Sequence, residues 1–292
     1  WLKIRPPDPN RFALIRSLLR GKKLTTVCEE AHCPNMSECW SGDGEHGGTA
    51  TFMLMGDTCT RACRFCYVKS GNPHGKLPEN EPEHLVEAVK IMGLDYVVLT
   101  CVTRDDLKDG GAAHFAKCVR ALKKANKRIM VEVLISDLDG NLEALKVVTN
   151  SGAEVIAHNL ETVERLQGEV RDPRANYKKS LKILENAKKL KPKCYTKSSL
   201  MLGLGEREEE VIQTMRHLRA IDVDVITFGQ YLRPSPFHLP VQEYVTPEKF
   251  KQYENLAKIH GFIYCASGPF VRSSYRAGEL FLKNLNARNV SR

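Results

Sequence analysis

The chain has 292 residues, 42% of them apolar and 27% charged, an ordinary globular balance that excludes disordered and fibrous classes. No apolar run approaches the roughly 18 residues of a membrane helix; the best stretch, Met53 to Gly56, is far too short. The formal charge of +9 at pH 7 suits nucleic acid, an acidic membrane surface or an acidic protein equally well.

Residues 1–50 are polar and carry three cysteines. They end in Ser41-Gly42-Asp43-Gly44-Glu45-His46-Gly47-Gly48, whose composition predicts a loop. From about residue 51, short apolar runs alternate with amphipathic segments. Phe52 to Met55 reads as a strand and is followed by a helix near 81–92, with Leu85, Val86, Val89 and Met92 on one face. The next strand and helix pairs are 96–100 with 112–125, 129–134 with 141–150, 154–157 with 177–190, and 198–202 with 206–220. Glu206, Glu208, Glu209 and Glu210 complement the start of that last helix. Asp224 to Phe228 is the sixth strand. Near-continuous apolar strands joined by helices imply a parallel sheet covered by helices. The count falls short of a full eight-stranded barrel; a partial barrel and a doubly wound sheet both fit the periodicity. Leu232 to Pro236 reads as a loop. A further helix starts at Thr246-Pro247-Glu248, Thr as N-cap and Pro at the first helical position. Phe262 to Leu285 reads as a short strand and a last helix.

Ten cysteines are few for a disulfide scaffold, and a chain this long needs none. Six fall in two tight triplets. Cys28, Cys33 and Cys39 form C-x4-C-x5-C; Cys59, Cys63 and Cys66 form C-x3-C-x2-C. Structural zinc wants four closed ligands, whereas three thiolates suit a four-iron cluster with one iron left open. Two zinc sites or unmetallated thiols are the bland alternatives. The second triplet follows the first strand, at the carboxyl end of the sheet, where α/β folds place active sites. Phe65 would shield a cluster there, and Arg61 and Arg64 would offset its negative charge. Cys101, Cys118, Cys194 and Cys265 lack such spacing and read as small buried hydrophobes.

Cys59-Thr60-Arg61-Ala62-Cys63-Arg64-Phe65-Cys66 resembles the signature of the radical S-adenosylmethionine (SAM) superfamily, C-x3-C-x-aromatic-C. The upstream string from Cys28 to Trp40 resembles the auxiliary-cluster motif of the lipoyl synthase family. Met55 to Thr58, Thr103 to Leu107 with Gly110-Gly111, Ala157 to Thr162, Met201 to Glu206, Gly229 to Pro234 and Gly268 to Tyr275 match the same family in order, over nearly the whole chain.

The resemblance implies an α/β fold: a partial (β/α)6 TIM-like barrel of the radical SAM type at 51–231. Residues 1–50 would be an N-terminal extension carrying the auxiliary motif. Residues 232–292 would be a C-terminal extension closing the barrel and supplying Arg272-Ser273-Ser274-Tyr275. The implied cofactors are two 4Fe-4S clusters and SAM. One cluster, on Cys59, Cys63 and Cys66, would generate a 5′-deoxyadenosyl radical. The other, on Cys28, Cys33, Cys39 and a serine, Ser274 in preference to Ser273, would give up sulfur to C6 and C8 of an octanoyl chain on a lysine. Either serine also fits a plain helix cap.

Asn159, Glu161, Lys197, Gly203 and Gly205 are the implied SAM contacts, although the two glycines also fit ordinary turns. Arg104, Asp105 and Arg272 are placed at the substrate mouth, with a surface ion pair as the alternative for the first two. No general base is needed. Implied partners are an octanoylated lipoyl carrier domain or a glycine cleavage H-type protein, a low-potential electron donor and an iron–sulfur carrier, with no nucleic acid and no membrane span. A reducing interior is required, cytoplasmic in a prokaryote or the mitochondrial matrix in a eukaryote. The chain departs from the family at Cys101 and Thr103, where serine and a carboxylate or amide are common. Two competing readings are another sulfur-inserting radical SAM enzyme (biotin synthase or a transfer-RNA methylthiotransferase) and a metal-stapled binding module without catalysis.

Overall fold

A computed structural model describes residues 9–30, 33, 35–41, 48–275 and 277. Of the loop expected at 41–48, Ser41 instead ends a helix and residues 42–47 lie outside the described residues, as does the last helix expected up to Leu285, Ala277 apart.

In chain order the elements are α1 (Pro9–Gly21), β1 (Thr25–Thr26), α2 (Val27–Glu30), α3 (Met36–Ser41), β2 (Thr49–Leu54), β3 (Thr58–Cys59), β4 (Lys69–Ser70), α4 (Glu81–Met92), β5 (Tyr96–Cys101), α5 (Ala112–Ala125), β6 (Met130–Leu134), α6 (Leu142–Thr149), β7 (Val155–Ala157), α7 (Gln167–Val170), α8 (Tyr177–Leu190), β8 (Tyr195–Leu202), α9 (Glu208–Ala220), β9 (Val225–Gln230), α10 (Pro247–Ile259) and β10 (Tyr264–Gly268). The main sheet runs β1-β2-β5-β6-β7-β8-β9-β10. All its pairings are parallel except β1 on β2.

This order decides between the two architectures left open by periodicity. A doubly wound sheet reverses direction at a switch point. Here every parallel strand is added on the same side as the last. Right-handed crossovers then put every helix on one face, and the sheet curls with its other face inward. Its edges, β1 and β10, do not pair among the described residues, so the barrel is partial. The six expected strands are present, and β10 adds a seventh parallel one from the C-terminal segment.

The caps explain the element boundaries. Thr246 accepts a hydrogen bond from the Lys249 amide at 3.2 Å, as its position before Pro247 predicts. Asn141 accepts from the Ala144 amide at 3.0 Å, so α6 begins at Leu142. The helix expected from Glu206 starts two residues later, because the Glu206 carboxylate accepts from the amides of Gly203 and Leu204 at 2.5 and 2.9 Å and ties the preceding turn.

Within the polar first 50 residues, α1 and α3 pack into the core more than their composition suggests. On α1, Ile15 and Leu19 are buried, and the Phe12 ring meets buried Trp40 at 5.2 Å. These residues join the core formed by Phe52, Leu85, Val97 and Phe115. A second core, around Leu200, Phe228 and Phe250, lies under α9 and α10. Deep in the barrel, the Lys197 ammonium sits 2.8 and 3.0 Å from the Glu132 carboxylate oxygens, and the Tyr96 hydroxyl donates to Glu132 at 2.7 Å. All three are buried, the paired arrangement that buried charges require. No helix of the described residues is long and apolar enough to cross a membrane.

Candidate active site

The carboxyl ends of the strands open into a cavity of about 700 Å³, within the range of small-molecule sites. The turn after β2 leads to the cysteine loop that lines it. Met55 has φ +67°, a strained value for a side chain of this size. Its amide donates to both Glu81 oxygens at 3.0 and 3.1 Å, and His114 Nε2 lies 2.7 Å from the same carboxylate. The cysteine loop starts from this clamped turn.

Cys59, Cys63 and Cys66 all line the cavity, with Phe65 beside them. The Arg61 amide donates to Cys59 Sγ at 3.4 Å and the Asp172 amide to Cys63 Sγ at 3.3 Å, contacts of the kind that tune iron–sulfur clusters. Burial pushes the Cys66 thiol up to about 12, the neighbouring Cys63 and Cys59 adding to it, and burial also raises Cys63. Cys63 and Cys66, raised in this way beside Cys59, need a cation to ionise, which a metal core supplies as it displaces their protons. With three donors and an open side toward the cavity, the set fits a four-iron cluster better than closed zinc.

Arg61 acts differently from the sequence expectation. Its guanidinium does not offset thiolate charge; it donates to Asp137 at 2.7 and 2.8 Å and to Asp105 at 2.9 and 3.0 Å. Arg174 joins the same lattice through Asp172 at 2.8 and 3.0 Å and Asp105 at 3.2 Å, and donates to the Thr60 carbonyl at 2.6 Å. Asp172 in turn accepts from the Ala62 amide at 2.9 Å. Asp105 therefore holds the cysteine loop from behind rather than at the substrate mouth. Arg104 is also away from the mouth: it is fully buried and pairs with Asp106 at 2.7 and 2.8 Å. Arg64 is exposed and reaches the Glu169 carbonyl at 3.3 Å.

Cys28 and Cys33 line the opposite wall together with Arg272, Ser273 and Ser274. Cys39 is half-buried on α3 and is not among the residues that line the cavity. Three hydrogen bonds tie the C-terminal turn to this region: Thr51 Oγ1 to Ser274 Oγ at 2.7 Å, Asn35 Nδ2 to the Phe270 carbonyl at 2.5 Å, and the Tyr275 hydroxyl to Glu38 at 3.0 Å. Thr51 also hydrogen-bonds Cys28, so a single side chain links that cysteine to Ser274. Burial pushes Cys28 up to about 11 and raises Cys33, the latter opposed in part by Arg272. These donors also need a cation, and a hydroxyl completes a three-thiolate set as a weaker ligand for a soft metal.

Gly229 makes this approach possible. A Cβ there would lie 2.0 Å from the Val271 carbonyl oxygen. Gly229→Ala is expected to destabilise the protein by about 1–3 kcal/mol and to dislodge the Arg272–Ser274 turn. Thermal melting and loss of cluster absorbance would report the two effects.

Asn159 and Glu161 line the cavity, the latter close enough to act on Cys63 and Cys66. Asn159 Oδ1 is buried without a partner among the described residues, a vacant acceptor of the kind a bound ligand fills. Glu161 has φ +68°, and burial raises its carboxyl, opposed by Arg171 and by an Asn159 hydrogen bond. Arg171 lines the same wall, and its Nε also lacks a partner among the described residues. No sequence pattern pointed to Arg171. Its Nη1 and the buried imidazole of His158 share the Ser180 hydroxyl, each at 2.9 Å. Burial lowers His158 to about 4, so the ring is a neutral positioning group. Its Nδ1, 2.8 Å from the Ile135 carbonyl, carries the proton.

Three expected SAM contacts are elsewhere. Lys197 is committed to Glu132 below the cavity. Gly203 and Gly205 are turn glycines with φ near +100°, and a Cβ on Gly203 would meet Gln230 Nε2 and the Glu243 carbonyl at 2.3 Å. Gly203 thus makes room for packing by residues 230 and 243, not for a cofactor. Cys101 and Thr103 both line the cavity, and burial pushes the Cys101 thiol up to about 12.

Residues 53–218 match the radical SAM superfamily. The chain is 54% identical over 285 residues to the mitochondrial lipoyl synthase of Uncinocarpus reesii, covering 98% of this chain and 68% of that one. It is 53% identical over 284 residues to lipoyl synthase of Ectopseudomonas mendocina, covering 97% and 80%. The mitochondrial lipoyl synthase of Bos taurus is 53% identical over 292 residues, covering 100% and 78%. Among solved structures, the FeFe-hydrogenase maturase HydG of Carboxydothermus hydrogenoformans has TM-score 0.59 at 15% identity, covering 86% of this chain and 63% of that one. Methylornithine synthase has TM-score 0.53 at 17% identity, covering 79% and 66%. At such identities these two speak to the fold alone.

Proposed function

The chain belongs to the lipoyl synthase family of radical SAM enzymes, and from that premise we propose how its own residues divide the reaction between the two walls of one cavity. With both 4Fe-4S clusters and SAM bound, the chemistry supplied is a 5′-deoxyadenosyl radical that takes hydrogen from C6 and C8 of a protein-bound octanoyl group, and sulfur from the auxiliary cluster, which is consumed as a substrate.

Cys59, Cys63 and Cys66 are assigned to the radical-generating cluster, with Phe65 keeping water from it. Cys28, Cys33, Cys39 and Ser274 are assigned to the sulfur-donating cluster. The observation that carries this division is that Cys59, Cys63 and Cys66, Cys28 and Cys33, and the Arg272–Ser274 turn all line one cavity, with Thr51 joining Cys28 to Ser274. Asn159, Glu161 and Arg171 hold SAM between them, and the two unpaired polar atoms, Asn159 Oδ1 and Arg171 Nε, support that reading. Arg272, beside Cys33, lies on the substrate's path. No residue is needed as a general base; the remaining task is positioning and exclusion of water.

In this reading residues 1–50, 51–231 and 232–292 form an auxiliary-cluster extension, the partial barrel and a closing extension. The substrate is an octanoylated lipoyl carrier domain, of which a glycine cleavage H-type protein is one form. A low-potential electron donor and an iron–sulfur carrier complete the cycle, in a prokaryotic cytosol or a mitochondrial matrix.

The test mixes anaerobically reconstituted protein with SAM, reductant and an octanoylated lipoyl domain. Mass spectrometry should show two sulfurs replacing two hydrogens. Deoxyadenosine with an unchanged domain would sink the reading. Ser274→Ala should lose the auxiliary cluster's absorbance and the product while deoxyadenosine formation persists; the same loss in Ser273→Ala instead would reassign the ligand.

A further inference from the structure

Three large apolar side chains stand exposed at one edge of the cavity. Tyr67 and Leu232 line it while remaining 53% and 42% exposed, and Phe237 is 98% exposed. A phenylalanine so completely in water gains nothing from folding. Its backbone nevertheless is fixed. His238 Nε2 donates to the Cys66 carbonyl at 3.0 Å, and Ser235 Oγ lies 2.8 Å from His238 Nδ1. Arg233 Nε donates to the His238 carbonyl at 2.9 Å, the Leu239 amide donates to the Arg64 carbonyl at 3.2 Å, and the Tyr231 hydroxyl donates to the Leu239 carbonyl at 2.8 Å. Pro234, Pro236 and Pro240 stiffen the same stretch. The loop is therefore an ordered finger bound to the cysteine loop, and the Tyr67 ring packs 5.9 Å from the His238 ring at its base.

The substrate's reach decides what meets this finger. An extended octanoyl-lysine places C6 about 14 Å from the lysine Cα by standard bond lengths. When C6 is inside the cavity, the folded body that carries the lysine must therefore sit against the rim. Arg64 and Arg233 are exposed on the same edge, which favours an acidic carrier surface.

We propose that Phe237, with Tyr67 and Leu232, forms an apolar rim that seats the folded carrier domain around its octanoylated lysine. The proposal rests on the lipoyl synthase reading above. Phe237 acts on the domain and not on the octanoyl arm, because it stands outside the cavity lining.

The test is Phe237→Ala, a change the exposed position tolerates without unfolding. KM is measured for an octanoylated lipoyl domain and for a short octanoyl-lysyl peptide, and domain binding is measured by calorimetry without SAM or reductant. The domain's KM and Kd should each rise about tenfold, a usual cost for truncating an aromatic interface anchor. The domain's kcat and both constants for the peptide should not move. Equal effects on domain and peptide, or no effect on either, would overturn the rim. Wild-type protein that binds the domain through Phe237 yet modifies neither substrate would sink the reaction reading and keep the surface.

Discussion

Cys66→Ala is expected to abolish deoxyadenosine formation, whereas Cys28→Ala should retain it and lose only the sulfur-containing product. Both variants should bind about four irons per chain instead of about eight, the content of one 4Fe-4S cluster against two. The asymmetry follows from the two walls. Cys66 is one of three sulfurs on the barrel side, and its thiol is among the most strongly raised by burial in the site. Without it the remaining donors, Cys59 and Cys63, are too few to fix a cluster with one open iron. Removing a group that merely supports a metal ligand costs 10–100-fold, so loss of the ligand itself should exceed about 100-fold in deoxyadenosine rate. Cys28 is on the other wall, linked to Thr51 and through it to Ser274. Measuring deoxyadenosine and product in parallel on both variants, with iron content, checks the division. If Cys28→Ala loses deoxyadenosine as severely as Cys66→Ala, the two walls do not work separately.

The parallel strands of the main sheet from β2 to β9 were legible because most are buried on both faces and have a helix after them; β5, Tyr96–Cys101, is the clearest case. The two-residue β1 was not, since no periodicity exists over Thr25–Thr26. The cysteine triplets were legible because ligand spacing is local. The lattice that holds the Cys59–Cys66 loop was not. Arg61 meets Asp137 and Asp105 across 76 and 44 positions of sequence, and only the curled sheet brings them together. Depth fails for a similar reason. The alternation of a strand shows that Lys197 shares a face with Ser199 and Met201, and both of those line the cavity. Lys197 is level with Ala157 of β7 and Val225 of β9, and only its side-chain pairing with Glu132 of β6 shows that it is low in the barrel and not beside the cofactor. At Gly203, the sequence marks a missing side chain but not its neighbour; the fold shows it to be Gln230 and the Glu243 backbone.

Asp137→Ala should cost about 3–5 kcal/mol, the range for stripping one partner from a buried ion pair. Asp137 and Arg61 side chains are 0% and 5% exposed, so the guanidinium would keep its desolvation while losing its better-buried partner; Asp105 is 24% exposed. Burial pushes the Asp137 carboxyl up, but the Arg61 hydrogen bonds and charge outweigh it, and the net direction is down. A carboxyl lower in the folded than in the unfolded chain gives its full stabilisation above the unfolded value near 4, and that stabilisation fades as pH falls through the folded value. The deficit of Asp137→Ala against wild type should therefore be constant between about pH 5.5 and 8. Denaturant midpoints across that window check it, and a deficit that grows as pH falls would overturn the assignment. Arg61→Met with Asp137→Leu should recover most of the loss, since an apolar pair avoids the desolvation cost altogether. It should not recover the loop, because the link from Arg61 to Asp105 and so to Arg174 and Asp172 is gone. A double variant that melts like wild type yet sheds iron from the Cys59, Cys63 and Cys66 set would show that this ion pair is retained for the geometry of the cysteine loop more than for stability.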